Sequence, residues 1–178
     1  MSKVRLYLVR HGKTMFNTIG RAQGWSDTPL TAEGELGIHE LGIGLRESGL
    51  QFDRAYSSDS GRTIQTMGII LEELGLQGKI PYRMDKRIRE WCFGSFDGAY
   101  DGDLFMGLIP RIFNVDHVHQ LSYAELAEGL VEVDTAGWAE GWEKLSGRIK
   151  EGFETIAKEM EEQGGGNALV VSHGMTIG

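Results

Sequence analysis

The sequence predicts an α/β protein with a mostly parallel central sheet. Two short apolar runs, at residues 4–9 and 168–171, are typical of buried strands. Between them, apolar residues recur at the three- and four-residue spacings typical of helices. Predicted strands and helices alternate along the chain, and this order favours a parallel sheet covered by helices.

The first strand is the run VRLYLV at residues 4–9, and residues 17–29, rich in Gly, Asn, Ser and Asp, are predicted to form a long loop. Thr31 can cap the following helix, since acidic residues occupy its first turn, and Gly49 is expected to end it. The segment FDRAYSS at residues 52–58 predicts a second strand.

The remaining elements follow from the same signals. Asp59 and Ser60 are candidate caps for a helix over residues 61–74, whose Ile64, Met67, Leu71 and Leu74 share one face. Further along, we predict a short strand at 80–83, a loop at 90–102, two short helices within 104–135, a long helix from Trp138 to Met160, and a buried strand at 168–171.

Length and composition narrow the class of protein. A chain of 178 residues predicts one domain, residues 1–178. The formal net charge of −8 disfavours nucleic acid and anionic membranes as partners. No apolar run approaches a membrane span and no signal peptide is evident, so we expect a cytoplasmic protein. The single cysteine, Cys92, excludes an intramolecular disulfide framework and a Cys-rich zinc site.

Polar residues follow three predicted strands where each strand ends: Arg10-His11-Gly12, Ser57-Ser58 and Ser172-His173-Gly174. Ligands of open α/β sheets bind outside the carboxyl ends of the strands. We therefore expect these three segments to converge on one binding site.

The residue types at this edge of the sheet suit an anion. Arg10 and Arg62 can hold phosphate oxygens, because a guanidinium matches phosphate with two parallel hydrogen bonds. A neutral imidazole is a competent nucleophile, and a second histidine, if cationic or donating, would stabilise charge on the transferred group. A carboxylic acid is then needed to protonate the leaving oxygen.

The sequence resembles the histidine phosphatase superfamily, the phosphoglycerate mutase-like proteins. The matching segments occur in family order over residues 4–178: LVRHGKT (8–14) with Asn17, QGWSDTPLT (23–31) with Gly34, YSSDSGRTIQT (56–66), REWCFG (89–94) with Gly98, and VVSHG (170–174). The resemblance implies a three-layer α/β/α fold.

The resemblance also implies roles for individual residues. His11 would accept the phosphoryl group as a phosphohistidine that water then hydrolyses, and Glu90 would act as general acid and later as base. The remaining implied site residues are Arg10, Arg62 and His173 in the phosphate pocket, Asn17 as a phosphate or substrate contact, and Gln23 and Gly24 in a loop lining the pocket. No cofactor and no metal are expected, because arginines and histidines supply the positive charge.

The implied activity is a phosphomonoesterase acting on a small phosphorylated metabolite. Phosphoglycerate mutase chemistry is the nearest alternative, but residues between Glu90 and His173 lack the paired arginines and proline run that mutases of this family place over the glycerate. A non-catalytic module that binds a phosphate ligand or a partner is the alternative from another class.

Relatives usually continue with a helix and further sheet beyond the position of Gly178. We expect the chain to be truncated at its C-terminus relative to a longer parent; the alternatives are that a homodimer supplies the cover or that the protein is compromised.

Several residues have plainer interpretations. Glu90 can form ordinary surface ion pairs with Arg87 or Arg89, worth at most ~1 kcal/mol. His117 and His119 form an H-x-H sequence, for which solvated loop histidines are favoured over a metal site. Trp138 and Trp142 are expected to lie in the core or over the pocket.

Overall fold

The computed structural model describes residues 3–178, and its centre is a four-stranded, wholly parallel sheet. The strands are β1 (Val4–Arg10), β2 (Arg54–Ser57), β3 (Tyr82–Met84) and β4 (Gly166–Ser172), in the spatial order β1-β4-β2-β3. Arg10 pairs with Ser172 and Ser57 pairs with Val171, so three strands end at the same edge. The predicted α/β class and the convergence of the three strand ends are confirmed.

Seven α-helices surround this sheet within the described residues. They are α1 (Met15–Ile19), α2 (Ala32–Glu47), α3 (Gly61–Leu74), α4 (Ile109–Phe113), α5 (Tyr123–Val133), α6 (Trp142–Glu162) and α7 (Gly174–Ile177). A π-helical segment spans Gly102–Leu108, and 3-10 turns occur at Lys86–Ile88, Gly94–Phe96 and Val118–Gln120. None of these helices is long and apolar enough to cross a membrane.

The alternation of side chains along β4 divides the core into two faces. Leu169 and Val171 pack with residues of α2 and α3, whereas Ala168 and Val170 pack with residues of α6. A strand between two helical layers must be apolar on both sides, which explains its unbroken apolar run. The fold is therefore a three-layer α/β/α sandwich, as the family resemblance implied.

A third apolar cluster lies under α4 and α5 and includes Trp91, Phe93, Leu104 and Leu130. It joins the segment after β3 to the helices of residues 102–133. This cluster fixes the wall that faces the carboxyl ends of the strands.

Two sequence predictions need correction. The loop predicted from residue 17 begins inside α1, because Thr14 and Asn17 form a reciprocal capping box that starts a helix at Met15. The long helix begins at Trp142 rather than Trp138: the Asp134 carboxylate accepts the Trp138 N–H, which holds that residue in a loop. Trp138 is 71% exposed and Trp142 is 41% exposed, so neither is a core residue.

Candidate active site

A cavity of about 400 Å³ opens at the carboxyl end of β1. Its wall contains five of the residues predicted from the sequence: Arg10, His11, Asn17, Gln23 and Glu90. Gly24, Arg62 and His173 are buried and do not line the cavity. Five of the predicted site residues therefore line the cavity, and the other three lie behind its wall.

His11 lies at the end of β1, where its backbone N–H donates to the Ser172 carbonyl at 3.1 Å. Its ring Nδ1 lies 2.8 Å from the Gly12 carbonyl oxygen. Because a carbonyl only accepts, the ring proton resides on Nδ1, and Nε2 carries an unprotonated lone pair. Burial, assisted by the cations Arg62 and Arg10, lowers the pKa of His11 to about 4, so the ring is neutral at pH 7.

Arg62 is the second residue of α3 and is fully buried. Four of its five N–H donors are used: Nη1 donates to the Ser26 carbonyl and to Asp27 Oδ1, both at 2.9 Å, and Nη2 donates to the Gly24 carbonyl at 2.7 Å and to His173 Nδ1 at 3.1 Å. The fifth donor, Nε–H, is buried without a protein partner. Such a donor costs free energy unless a bound group accepts from it.

His173 follows β4 and packs edge-on against His11, with ring centroids 5.4 Å apart. Both of its nitrogens are engaged: Nδ1 accepts from Arg62, and Nε2 lies 2.7 Å from Ser58 Oγ. Because a guanidinium only donates, the ring proton is on Nε2, which donates to Ser58. Burial and the neighbouring cations lower the pKa of His173 to about 2, so this histidine is neutral. It lies behind the cavity wall and holds the Arg62 guanidinium in place.

Glu90 is buried beside the cavity, 7% exposed, and makes no ion pair with Arg87 or Arg89. Its carboxylate accepts from the backbone N–H groups of Trp91 and Met175, each at 3.1 Å. Burial raises its pKa despite these hydrogen bonds, which favours the protonated form. The surface ion-pair interpretation of Glu90 is therefore wrong.

The loop residues among the predictions differ in their positions. Asn17 uses its side-chain oxygen to cap α1, and Gln23 is held at both ends, by the Thr14 hydroxyl at 2.7 Å and by Thr28 Oγ1 at 2.9 Å. Gly24 contacts Arg62 through its carbonyl, and a side chain there would collide with the Trp91 carbonyl oxygen. Gly24 is thus a packing position behind the cavity.

Sequence reasoning missed several residues of the site. Arg21, Phe105 and Met175 line the cavity, and Arg21 donates to the Gly98 carbonyl at 2.6 Å. Arg21 precedes the predicted Gln23-Gly24 pair by two residues, which was the available signal. Phe105 lies in the segment whose structure the sequence left ambiguous.

A buried ion pair behind Glu90 was also missed. Arg148 on α6 makes two 2.6 Å hydrogen bonds to the Glu140 carboxylate, and its Nη2 donates to the Glu90 carbonyl at 2.7 Å. Nothing in the sequence pairs these two positions, since Glu140 lies outside the helix. The pair anchors the backbone that carries the Glu90 carboxyl group.

The cavity combines an unprotonated imidazole nitrogen, a carboxyl group whose pKa is raised by burial, and guanidinium groups. Nucleophile, acid and anion-binding groups are the parts that group transfer from an anionic ester requires. In the described part of the chain, no three His, Cys, Asp or Glu side chains are arranged to hold a metal ion.

Solved structures resemble this arrangement over almost the whole chain. The crystal structure of phosphoglycerate mutase from Bacillus anthracis str. Sterne matches with a TM-score of 0.89 and 39% identity, covering 99% of this chain and 78% of that one. A putative alpha-ribazole-5'-P phosphatase from Escherichia coli K-12 matches with a TM-score of 0.72 and 26% identity, covering 98% of this chain and 76% of that one.

Sequence comparison gives the same grouping. The chain is 32% identical over 177 residues to a probable phosphoglycerate mutase, GpmB, of Salmonella choleraesuis (strain SC-B67), covering 98% of this chain and 72% of that protein. The family model for branch 1 of the histidine phosphatase superfamily matches residues 6–178. With the three-layer fold and the His11 site already described, the chain belongs to the histidine phosphatase superfamily.

Proposed function

We propose that this protein is a metal-independent phosphomonoesterase that hydrolyses a small phosphorylated metabolite through a phosphohistidine on His11. The observation that carries the proposal is the hydrogen bond from Nδ1 of His11 to the Gly12 carbonyl, 2.8 Å long. It fixes the tautomer in which Nε2 can attack phosphorus, in a ring whose pKa of about 4 keeps it neutral.

In the first step, His11 Nε2 forms a bond to phosphorus while the ester P–O bond breaks. Glu90 gives its proton to the departing oxygen, and burial favours this protonated form by raising the pKa of the carboxyl group. The alcohol leaves neutral, and the phosphoryl group remains on His11.

In the second step, water attacks phosphorus and the P–N bond breaks. The Glu90 carboxylate accepts the proton of the attacking water, which restores the acid for the next cycle. His11 regains its neutral ring and inorganic phosphate is the second product.

Positive charge for the phosphoryl oxygens comes from Arg10 and Arg62. The Arg10 guanidinium lies against Gly174, where a Cβ would sit 3.3 Å from its Nε, so glycine at this position leaves the arginine room. Arg62 does not line the cavity, so we assign its charge and its unpartnered Nε–H a stabilising role from behind the cavity wall. Fixed donors of this kind stabilise the charge that develops during transfer. In this scheme His173 holds the Arg62 guanidinium in place.

Hydrolysis is favoured over mutase chemistry by the rest of the cavity wall. A mutase must also hold the carboxylate of its substrate, and Arg21 is the one lining cation beyond Arg10 among the described residues. Arg21 is already committed to the Gly98 carbonyl and the face of Tyr100. The similarity to phosphoglycerate mutases keeps phosphoryl transfer to a second hydroxyl as the alternative. We also propose a cytoplasmic location, which is consistent with the single cysteine.

The test is phosphate release from an aryl phosphate in the presence of EDTA. We expect hydrolysis by the wild-type chain and none by His11→Ala. His39→Ala is the matched control, because His39 pairs with Glu73 outside the site. Activity that EDTA abolishes, or that His11→Ala retains, would refute the proposal. Absence of release from a folded chain that binds phosphate would favour a mutase or a non-catalytic binder.

A further inference from the structure

A second, larger cavity of about 880 Å³ adjoins the catalytic one. Phe105 and Met175 line both cavities, so the two are neighbours across these side chains. We propose that this cavity binds the alcohol part of the ester, and that the preferred substrate is the phosphomonoester of a bulky, mainly apolar alcohol. This inference rests on the proposed phosphatase function and adds the substrate class.

The size of the cavity supports a large alcohol. Pockets for drug-sized ligands have volumes of roughly 300–1,000 Å³. The catalytic cavity, at about 400 Å³, already accommodates a phosphoryl group and a few carbons. A three-carbon alcohol would leave the adjoining 880 Å³ unused.

The wall of the cavity is mainly apolar. Val118, Leu121 and Leu126 contribute from the 3-10 turn and from α5, facing Phe105 of the π-helical segment. Burial of an apolar ligand surface against such a wall contributes about 25 cal/mol per Å². An alcohol with a ring or a branched carbon skeleton gains most from this surface.

The charges of the wall disfavour an anionic alcohol. Asp116 is the only acidic residue of the lining, and no lysine or arginine lines this cavity in the described chain. A second phosphate or a carboxylate on the substrate would meet this aspartate with no cation to offset it. A phosphoglycerate or a bisphosphate is therefore a poorer fit than a neutral alcohol.

The H-x-H sequence is part of this wall. His117 caps the 3-10 turn and His119 lies within it, and both side chains are exposed and line the cavity. Gln120 accepts the His117 N–H at 3.0 Å, which fixes the turn. Two imidazoles at the wall can hydrogen-bond a hydroxyl or carbonyl on the substrate, so we expect the apolar alcohol to carry a polar group.

The experiment compares two esters with the same primary-alcohol leaving oxygen: ethyl phosphate and 2-(1-naphthyl)ethyl phosphate. We expect kcat/KM for the naphthyl ester to be higher by about tenfold or more, since even one methylene in an apolar pocket changes kcat/KM by about 10–200-fold. Leu121→Trp should fill the cavity and remove most of this preference. Leu36→Trp is the matched control, because Leu36 is 60% exposed on α2.

Met106→Trp provides a second variant that folding defects will not obscure, since Met106 lines the cavity and is 84% exposed. Equal kcat/KM for the two esters, or a preference unchanged by both cavity variants, would overturn the inference. Binding of both esters to His11→Ala, measured by calorimetry, separates this outcome from failure of the proposed function. Tighter naphthyl ester binding that Leu121→Trp weakens would support the cavity assignment even without turnover, and equal binding would refute it.

Discussion

Arg148→Met should destabilise the protein severely, although Arg148 does not line the catalytic cavity. The Arg148 side chain is 14% exposed and its partner Glu140 is 1% exposed, so the ion pair is buried. Arg148 also donates to the backbone carbonyls of Arg87 at 3.0 Å, Arg89 at 2.9 Å and Glu90 at 2.7 Å. The substitution leaves the buried Glu140 carboxylate without its cation and the Arg87 carbonyl without its side-chain donor. The carbonyls of Arg89 and Glu90 keep hydrogen bonds from Thr176 and Trp25.

Removing one partner of a buried ion pair costs about 3–5 kcal/mol. Because a buried carbonyl that loses its partner adds to this cost, we expect a loss of about 4 kcal/mol or more in the free energy of unfolding. Urea unfolding followed by tryptophan fluorescence measures it. Lys150→Met is the control, because Lys150 and Glu154 form an exposed pair whose loss should cost within about 0.5 kcal/mol.

The double variant Glu140→Leu with Arg148→Met separates the free-energy cost of an unpaired buried charge from the cost of lost packing. It leaves no buried charge alone, so we expect it to recover part of the stability that Arg148→Met loses. A loss below about 1 kcal/mol for Arg148→Met, or one equal to that of Lys150→Met, would show that the buried Arg148–Glu140 pair does not stabilise the fold.

Three further predictions concern the site. The value of kcat/KM should fall below pH 4, because the pKa of His11 is lowered to about 4 and the protonated ring cannot attack. It should fall again above the raised pKa of Glu90, because the acid has then lost its proton. Glu90→Gln should abolish the alkaline limb, and a pH profile unchanged by this substitution would contradict the role of Glu90. Arg62→Lys should lower kcat/KM by about 10²–10³-fold, because an ammonium cannot replace the four oriented N–H donors of the guanidinium and its free Nε–H. A change of less than twofold in steady-state kinetics would exclude this role for Arg62. Gly24→Ala should lower the free energy of unfolding by about 1–3 kcal/mol, because the new Cβ would collide with the Trp91 carbonyl oxygen. Gly37→Ala has open space around it and should be neutral or stabilising. Equal effects of the two substitutions in urea unfolding would argue against this packing.

The sequence was most informative where short-range chemistry determines structure. The apolar run of β4 is buried on both faces, and Thr31 caps α2 by accepting the Gly34 N–H at 3.0 Å, as predicted. The edge that carries Arg10, His11 and His173 was predictable because parallel strands end together. For these elements, periodicity and capping agree with the tertiary packing.

Features that depend on distant partners were not predictable. Arg62 and His173 lie behind the cavity wall because Arg62 hydrogen-bonds both His173 and the Gly24 carbonyl, contacts separated by up to 111 positions in sequence. Trp138 continued an apolar helical period, but the Asp134 carboxylate binds its backbone N–H outside the helix. The cavity beside Phe105 depends on how three short segments pack, which periodicity does not encode.

The central claim is that His11 carries the phosphoryl group during turnover. Its most direct test is a rapid acid-free quench of the wild-type chain with a phosphomonoester labelled on phosphorus, followed by peptide mapping of the label. We expect an acid-labile, alkali-stable phosphoryl group on His11 that is absent from His11→Ala. A label on another residue, or turnover by the wild type with no phosphorylated His11 at any time before the steady state, would contradict it.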